Sequence, residues 1–213
     1  MIRRAARLLL VAGCATSLAA CITLFPKEKP AQLFRFGDSV TAPAGSGPGF
    51  AVRSVGFEFD RAAAGDAILT VNGDQVAYIS GARWVAPATL QFEGAVRRGF
   101  DAPGGTVRLI NPGEGGQAKF ILRLNVTHFE ARYEAGPSAP PTIYVALRAV
   151  LTRTADQSLV GAQPIEAKAA ATDNSASAIT AAFDHATGDV VGQLVGWVSQ
   201  TGGSASTAQA AGS

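Results

Sequence analysis

Thiols are almost absent from this chain: it has two cysteines in 213 residues, Cys14 and Cys21, and none after position 21. That excludes a disulfide framework and any thiolate metal site from the bulk of the protein. Histidine is as scarce, with only His128 and His185, and charged residues make up 16% of the whole. Arg3, Arg4 and Arg7 lie in a stretch without acids, so 15 of the 18 basic residues and all 16 acidic ones fall beyond residue 20, and the formal charge drops from +2 to −1. Such a balance offers no basic field for nucleic acid and no strong attraction to an anionic membrane surface. Beyond the first twenty residues, no hydrophobic run is long enough to cross a bilayer.

What is present at the N-terminus reads as a bacterial secretion signal that closes on a lipid-attachment cysteine. Arg3, Arg4 and Arg7 form a positive n-region, residues 8–18 form an apolar h-region too short to span a membrane, and Leu18-Ala19-Ala20-Cys21 is a small-residue cleavage box. Small side chains let a peptidase grip the chain before the cut, and the Cys21 thiol is the nucleophile that takes a diacylglyceryl group. Val11-Ala12-Gly13-Cys14 is a second such box. It leaves only about six apolar residues after Arg7, below the ~7–15 of an h-region. The expectation is therefore a signal peptide over 1–20, lipidation at Cys21 and a tether over 21–32, where Pro26, Lys27, Glu28, Lys29 and Pro30 resist packing. Ile22 stands where an Asp resembles an inner-membrane retention signal, so the outer membrane is the expected anchor site.

Residues 33–200 read as one domain. Strand patterns occur at 33–36, 50–59, 67–71, 75–80, 106–110, 119–127, 142–152 and 159–169, with Asn72-Gly73-Asp74 as a hairpin turn. Residues 37–49, rich in Gly, Pro, Ser and Ala, read as a mobile loop. Residues 111–116 read as a hairpin loop joining the strands on either side. A helical period begins at Pro87 and stops at Asp101, with Phe92, Val96, Gly99 and Phe100 on one face and Glu93, Arg97 and Arg98 on the other. A longer one runs from Ser175 to Gln200, with Ile179, Phe183, Ala186, Val190, Leu194, Trp197 and Val198 on one stripe. Residues 201–213 show no apolar period and read as a disordered tail, dispensable for stability. These elements predict an α+β two-layer sandwich, a mostly antiparallel sheet of about six strands with two helices on one face.

Catalytic chemistry is hard to find. Adjacent helix residues point about 100° apart, so Asp184 cannot orient the ring of His185, and His128 lies at a strand end with no acid marked out for it. Gly45-Ser46-Gly47-Pro48-Gly49 lacks both the preceding glycine and the following helix of a nucleophile elbow. The glycine-rich run 111–116 is followed by a strand and so has no helix N-terminus to receive a phosphate. Glu58 and Asp60, two apart on a strand, suit a solvated face better than a cation site. The expectation is a non-enzyme with no cofactor, no metal and no nucleic-acid partner.

The run Tyr78-Ile79-Ser80-Gly81-Ala82-Arg83-Trp84-Val85-Ala86-Pro87-Ala88-Thr89-Leu90 resembles the central motif of the ABC-type transport auxiliary lipoproteins, the family of the PqiC (YmbA) proteins. There a tyrosine-bearing strand leads into Arg-Trp, a proline and a helix. The lipobox, the early strand ending near Phe36, the strand 120–127 followed by Phe129, the strand 142–151 and the helix ending Gly196-Trp197-Val198 agree in order, so the resemblance spans 32–200. The loop 37–49 and the tail depart from the usual form. The resemblance implies an accessory subunit of an envelope ABC system for lipid trafficking or membrane integrity, working with an MCE-domain periplasmic protein, a permease and an ATPase. Arg83 and Trp84 are candidate interface residues, since Arg and Trp are enriched in hot spots. The alternative is that Trp84 is a core aromatic at the helix start, with Arg83 packed by its stem. A second function class also stays open, an independent envelope lipoprotein that binds a small apolar ligand or assists outer-membrane assembly.

Overall fold

The computed structural model describes residues 30–41, 43 and 49–211. The chain divides after Pro30 into two units, and the architecture is that of the second. The expected signal peptide, Cys14, Cys21 and nearly all of the tether lie outside the described residues. Eight strands, β1 (Gln32–Phe34), β2 (Phe50–Phe59), β3 (Ala67–Asn72), β4 (Gln75–Trp84), β5 (Val107–Ile110), β6 (Phe120–Arg132), β7 (Thr142–Arg153) and β8 (Leu159–Ala170), form one sheet. Helices α1 (Ala88–Phe100) and α2 (Ala176–Ala211) cover one of its faces.

The organising element is β6. One edge pairs antiparallel with β7 from end to end, and β7 with β8. The other edge is shared: residues 120–126 pair with β2, and Ala131 and Arg132 pair with β3, both parallel. From these the sheet continues outward to β5 on one side and through β4 to β1 on the other. The sheet is thus mixed, with eight strands and four parallel ladders of seven, which corrects the expected six-stranded, mostly antiparallel arrangement. Alternation of apolar residues identifies a strand and its buried face, but it carries no information on direction.

The expected hairpin between β5 and β6 is a second correction. Both strands run parallel to β2, on opposite sides of it, with Leu109 and Phe120 each level with Val52. The loop 111–119 therefore crosses over β2, and the Arg53 guanidinium holds it by donating to the carbonyls of Glu114 (3.2 Å) and Gly116 (2.5 Å). No return helix is needed because β6 starts where the four-residue β5 ends. A Gly/Pro-rich run suits a hairpin and this crossing equally well.

Phe92, Val96 and Phe100 of α1 meet Ile179, Phe183, Val190, Leu194 and Val198 of α2 and the inward residues Leu122, Leu124, Val126, Val145 and Leu147 in one core. Trp197 lies half-buried at its edge. The Ser175 hydroxyl caps α2 by accepting from the Ala178 N–H at 3.2 Å. α2 does not stop at Gln200. It continues to Ala211, which overturns the disordered-tail expectation for those residues. The reason is a close contact: a Cβ on Gly202 would lie 2.5 Å from the Phe50 ring, so a bare backbone packs on that ring, and Ala205 packs beside it. Glycine and alanine carry too little hydrophobicity to mark a period, yet they bury well where the helix must come close. Truncation after Gln200 should consequently destabilise the domain by about 1 kcal/mol through the lost cover on Phe50 and Phe120. A denaturant midpoint unchanged by the truncation would show the extension to be an ornament.

Candidate functional site

The segment that carried the sequence signal forms a corner where β1, β4 and α1 meet. Trp84 is 2% exposed. Its ring meets Phe183 edge-on at 5.3 Å, Phe36 at 4.9 Å and Phe129 at 6.2 Å. A side chain so enclosed offers no surface to a partner, so Trp84 is corrected from interface candidate to core aromatic. Arg83 points to the opposite side, half-exposed, with its Nη1 donating to the Asp66 carboxylate at 3.1 Å. Strand alternation separates the two: the residue that is buried fixes the one that is presented.

Backbone contacts brace the corner. The Val85 N–H donates to the Phe34 carbonyl (2.7 Å) and the Trp84 N–H to the Asp66 carbonyl (2.7 Å). No side chain caps α1 at Pro87. Instead the first N–H groups, of Ala88 and Thr89, donate to the carbonyls of Gly65 and Ala64. Gln91 ties β1 to this junction, accepting from the Phe36 N–H at 3.2 Å and donating to the Ala86 carbonyl at 2.9 Å. Beside Arg83 the corner leaves apolar side chains in water: Leu33, its register partner on β1, and Val85 just after β4. The corner thus presents one arginine and two exposed aliphatics to water.

A second cluster escaped the sequence analysis. The Asp184 Oδ1 accepts the backbone N–H groups of Gly37 (2.5 Å), Asp38 (2.8 Å) and Ser39 (3.3 Å), and its Oδ2 accepts the Ser39 hydroxyl. Partial burial raises the pKa of this carboxyl, but the Ser39 hydroxyl and the three N–H groups outweigh it and hold the group below the usual aspartate range. From α1, Arg98 donates through Nε (3.1 Å) and Nη2 (2.9 Å) to the Gly37 carbonyl. The described part of the loop 37–49 is therefore a strap fastened across both helices, and not a mobile segment. α2 accommodates it with Gly188 and Gly192, one turn apart: a Cβ at either would stand 2.9 Å from the Ser39 carbonyl oxygen or 2.8 Å from that of Thr41. The signal available in the sequence was Gly188, Gly192 and Gly196 at four-residue spacing, a bare stripe on which another backbone can lie.

The histidines do not converge with acids into a catalytic group. His185 lies 3.5 Å from Asp189, one turn away and exposed, while its neighbour Asp184 turns to the strap. His128 stacks on Tyr144 at 5.0 Å and its Nδ1 faces the Thr127 hydroxyl. Asp60 accepts the Ala62 N–H in a turn, and Glu58 stands on the sheet face away from the helices. Among the described residues, no three His, Cys, Asp or Glu side chains gather into a metal site. That open sheet face carries an ion network, in which Glu130 pairs with Arg132 (2.7 Å) and Arg132 lies over Tyr144. The hydrogen bond from Tyr144 to Glu166 (2.6 Å), with some burial, raises the phenol pKa. A groove of about 380 Å³ lies farther along the same face, where β2 bulges beside Arg123 and Arg148.

No curated protein matches the sequence. Among solved structures, the fold is similar to that of protein XCC0632 from Xanthomonas campestris, labelled DUF330. That chain is 24% identical, with 83% of this chain and 99% of that one covered and a TM-score of 0.75. A crystal structure of an uncharacterized protein, 10% identical, matches over 80% of this chain and 99% of its own with a TM-score of 0.59. A family model described as "ABC-type transport auxiliary lipoprotein component" matches residues 41–195, most of the chain, from the end of the strap through β4 and α1 into α2. The chain belongs to the family of ABC-type transport auxiliary lipoprotein components.

Proposed function

We propose that this protein is the non-catalytic docking subunit of its transport system. It is anchored to the outer membrane through lipid on Cys21, tethered by residues 21–32, and contacts an MCE-type periplasmic partner through the Arg83 corner. The permease and ATPase are then reached indirectly, and the cargo class is lipid. The observation that carries this reading is the corner itself. Trp84 and Gln91 brace it from within, while Arg83, Leu33 and Val85 stand in water. Family membership supplies the transport context, and docking at a tethered module gains from effective concentration without requiring any reactive residue.

The intact lipoprotein, extracted in mild detergent from cells expressing the neighbouring transporter, should co-purify with the MCE-type protein. Arg83→Ala should weaken that capture roughly tenfold while leaving the thermal midpoint within about 2 °C, since an exposed ion pair contributes little to folding. Cys21→Ser should move the protein to the soluble periplasmic fraction. Recovery of the lipoprotein alone from crosslinked envelopes that contain the transporter would sink the adaptor reading.

A further inference from the structure

We propose that the groove over the β2 bulge is a binding site for an oxyanion, a phosphate or carboxylate on a short apolar carrier, held by Arg123 and Arg148. It is a separate surface from the Arg83 corner and does not depend on the docking reading. The bulge makes the space. Ser54 pairs with Leu122 and Phe57 with Leu124, so β2 sets two residues, Val55 and Gly56, opposite the single Arg123. Gly56 takes a φ of 110°, which L side chains rarely adopt, and nothing lies within 4 Å of where its Cβ would stand. A strand face that should present a side chain towards Arg123 presents a gap instead.

Register brings the two guanidinium groups to that gap. Arg123 pairs with Val150, and Asn125 pairs with Arg148. The arginines are thus diagonal neighbours on one face, about 7 Å apart at their Cβ atoms. Both line the groove with Val55, Val150 and Glu58. Arg53, Arg83, Arg98 and Arg132 all donate to carbonyls or carboxylates of this chain. Neither Arg123 nor Arg148 has such a partner among the described residues. Glu58 is the one carboxylate in the lining, and it forms no ion pair with either arginine among the described residues, so the two positive charges outnumber it. An oxyanion bridging the two forks removes the conflict, because each planar guanidinium can donate in pairs to the oxygens of a carboxylate or phosphate. Val55 and Val150 supply apolar walls for the carrier. Glu58, in the Asn125–Arg148 row, repels the anion from that end and so sets which way it enters.

Calorimetric titration of the intact lipoprotein in a nonionic detergent at low ionic strength tests this, with hexyl phosphate and inorganic phosphate as probes and hexyl glucoside as the neutral control. Saturable one-to-one binding of a phosphate is expected, with none of the glucoside. Arg123→Gln and Arg148→Gln should each weaken it roughly tenfold or more. Glu58→Gln, which removes a repelling charge without touching the arginines, should tighten it. Hexyl phosphate binding more tightly than inorganic phosphate supports the site with an amphiphile such as a lipid headgroup as its source. Equal affinities support it with a free anion as source. Absence of saturable binding for both phosphates would overturn the proposal. So would unchanged affinity in the Arg123→Gln/Arg148→Gln double variant, with its fold checked by circular dichroism.

Discussion

Phe183→Ala should destabilise the domain by ~3–5 kcal/mol, the range for emptying an aromatic-sized core site that cannot collapse. The ring is fully buried, 4.8 Å from Phe129 and 5.3 Å from Trp84. Phe36 and Phe59 close in on Phe129 from other sides at 4.9 and 5.5 Å. Rigid rings borne on β2, β4, β6 and the segment after β1 have no easy way to fill the void, so little of the loss is recovered by relaxation. Phe183→Leu keeps much of the volume and should cost markedly less, about 1–1.5 kcal/mol. Urea melts give both values from the shift in midpoint at constant slope. A loss under about 1 kcal/mol for the alanine variant would mean that the cluster is not the keystone of the core. The same variant bears on function, because Trp84 leans on Phe183 and Arg83 is presented by the strand that Trp84 anchors.

How much of this was legible beforehand differs between elements. The faces of α1 and α2 could be read because Phe92, Val96, Phe183, Val190 and Leu194 are large and recur at helical spacing. Each strand of the sheet could be read from alternation. The sheet's direction could not, since β6 shares one edge between β2 and β3, and nothing local to any of those strands encodes a partner chosen across 60 or more residues. The end of α2 was hidden for the opposite reason. Gly202 and Ala205 pack because they are small, and hydrophobic patterning sees only residues that pack because they are large.

The Arg83–Trp84 corner shows the same division. The motif residues Arg83 and Trp84 stood out by type, and strand alternation alone places adjacent residues on opposite faces. That rule alone separates a buried Trp84 from a presented Arg83. In sequence, Asp184 is visible only as the neighbour of His185. Its actual partners lie about 145 residues away in the chain, in a segment whose composition reads as loose. The glycines of α2 were the available clue that a backbone lies along the helix, and Arg98, assigned to water by its place on the polar face, is the second clasp.

The strap should therefore be the site of a pH-dependent stability that disappears with one substitution. Asp184 is bound as a carboxylate by three N–H groups and a hydroxyl, and these lower its pKa in the folded state. A carboxyl depressed by folding stabilises the protein above its unfolded pKa, and that contribution fades as pH falls from about 4 through the folded value. Asp184→Ala should cost about 2 kcal/mol at pH 7, a moderate figure because the site is only partly buried and water can replace some of the lost acceptors. The gap between wild type and variant should shrink as the pH is lowered below about 4, where the wild-type carboxyl takes up its proton. A constant gap from neutral pH to about pH 2.5 would assign the cost to packing and not to the charge. Hydrogen exchange localises the effect: the amides of Gly37, Asp38 and Ser39 should lose protection first, before any in β6 or β7. β1 has only three residues and one neighbour, β4, so freeing the strap should loosen it and carry Leu33 away from Arg83. Asp184→Ala is accordingly expected to weaken partner capture as well, although Asp184 lies on another element. Strap amides that exchange early while capture remains at the wild-type level would separate the two and confine the strap to stability.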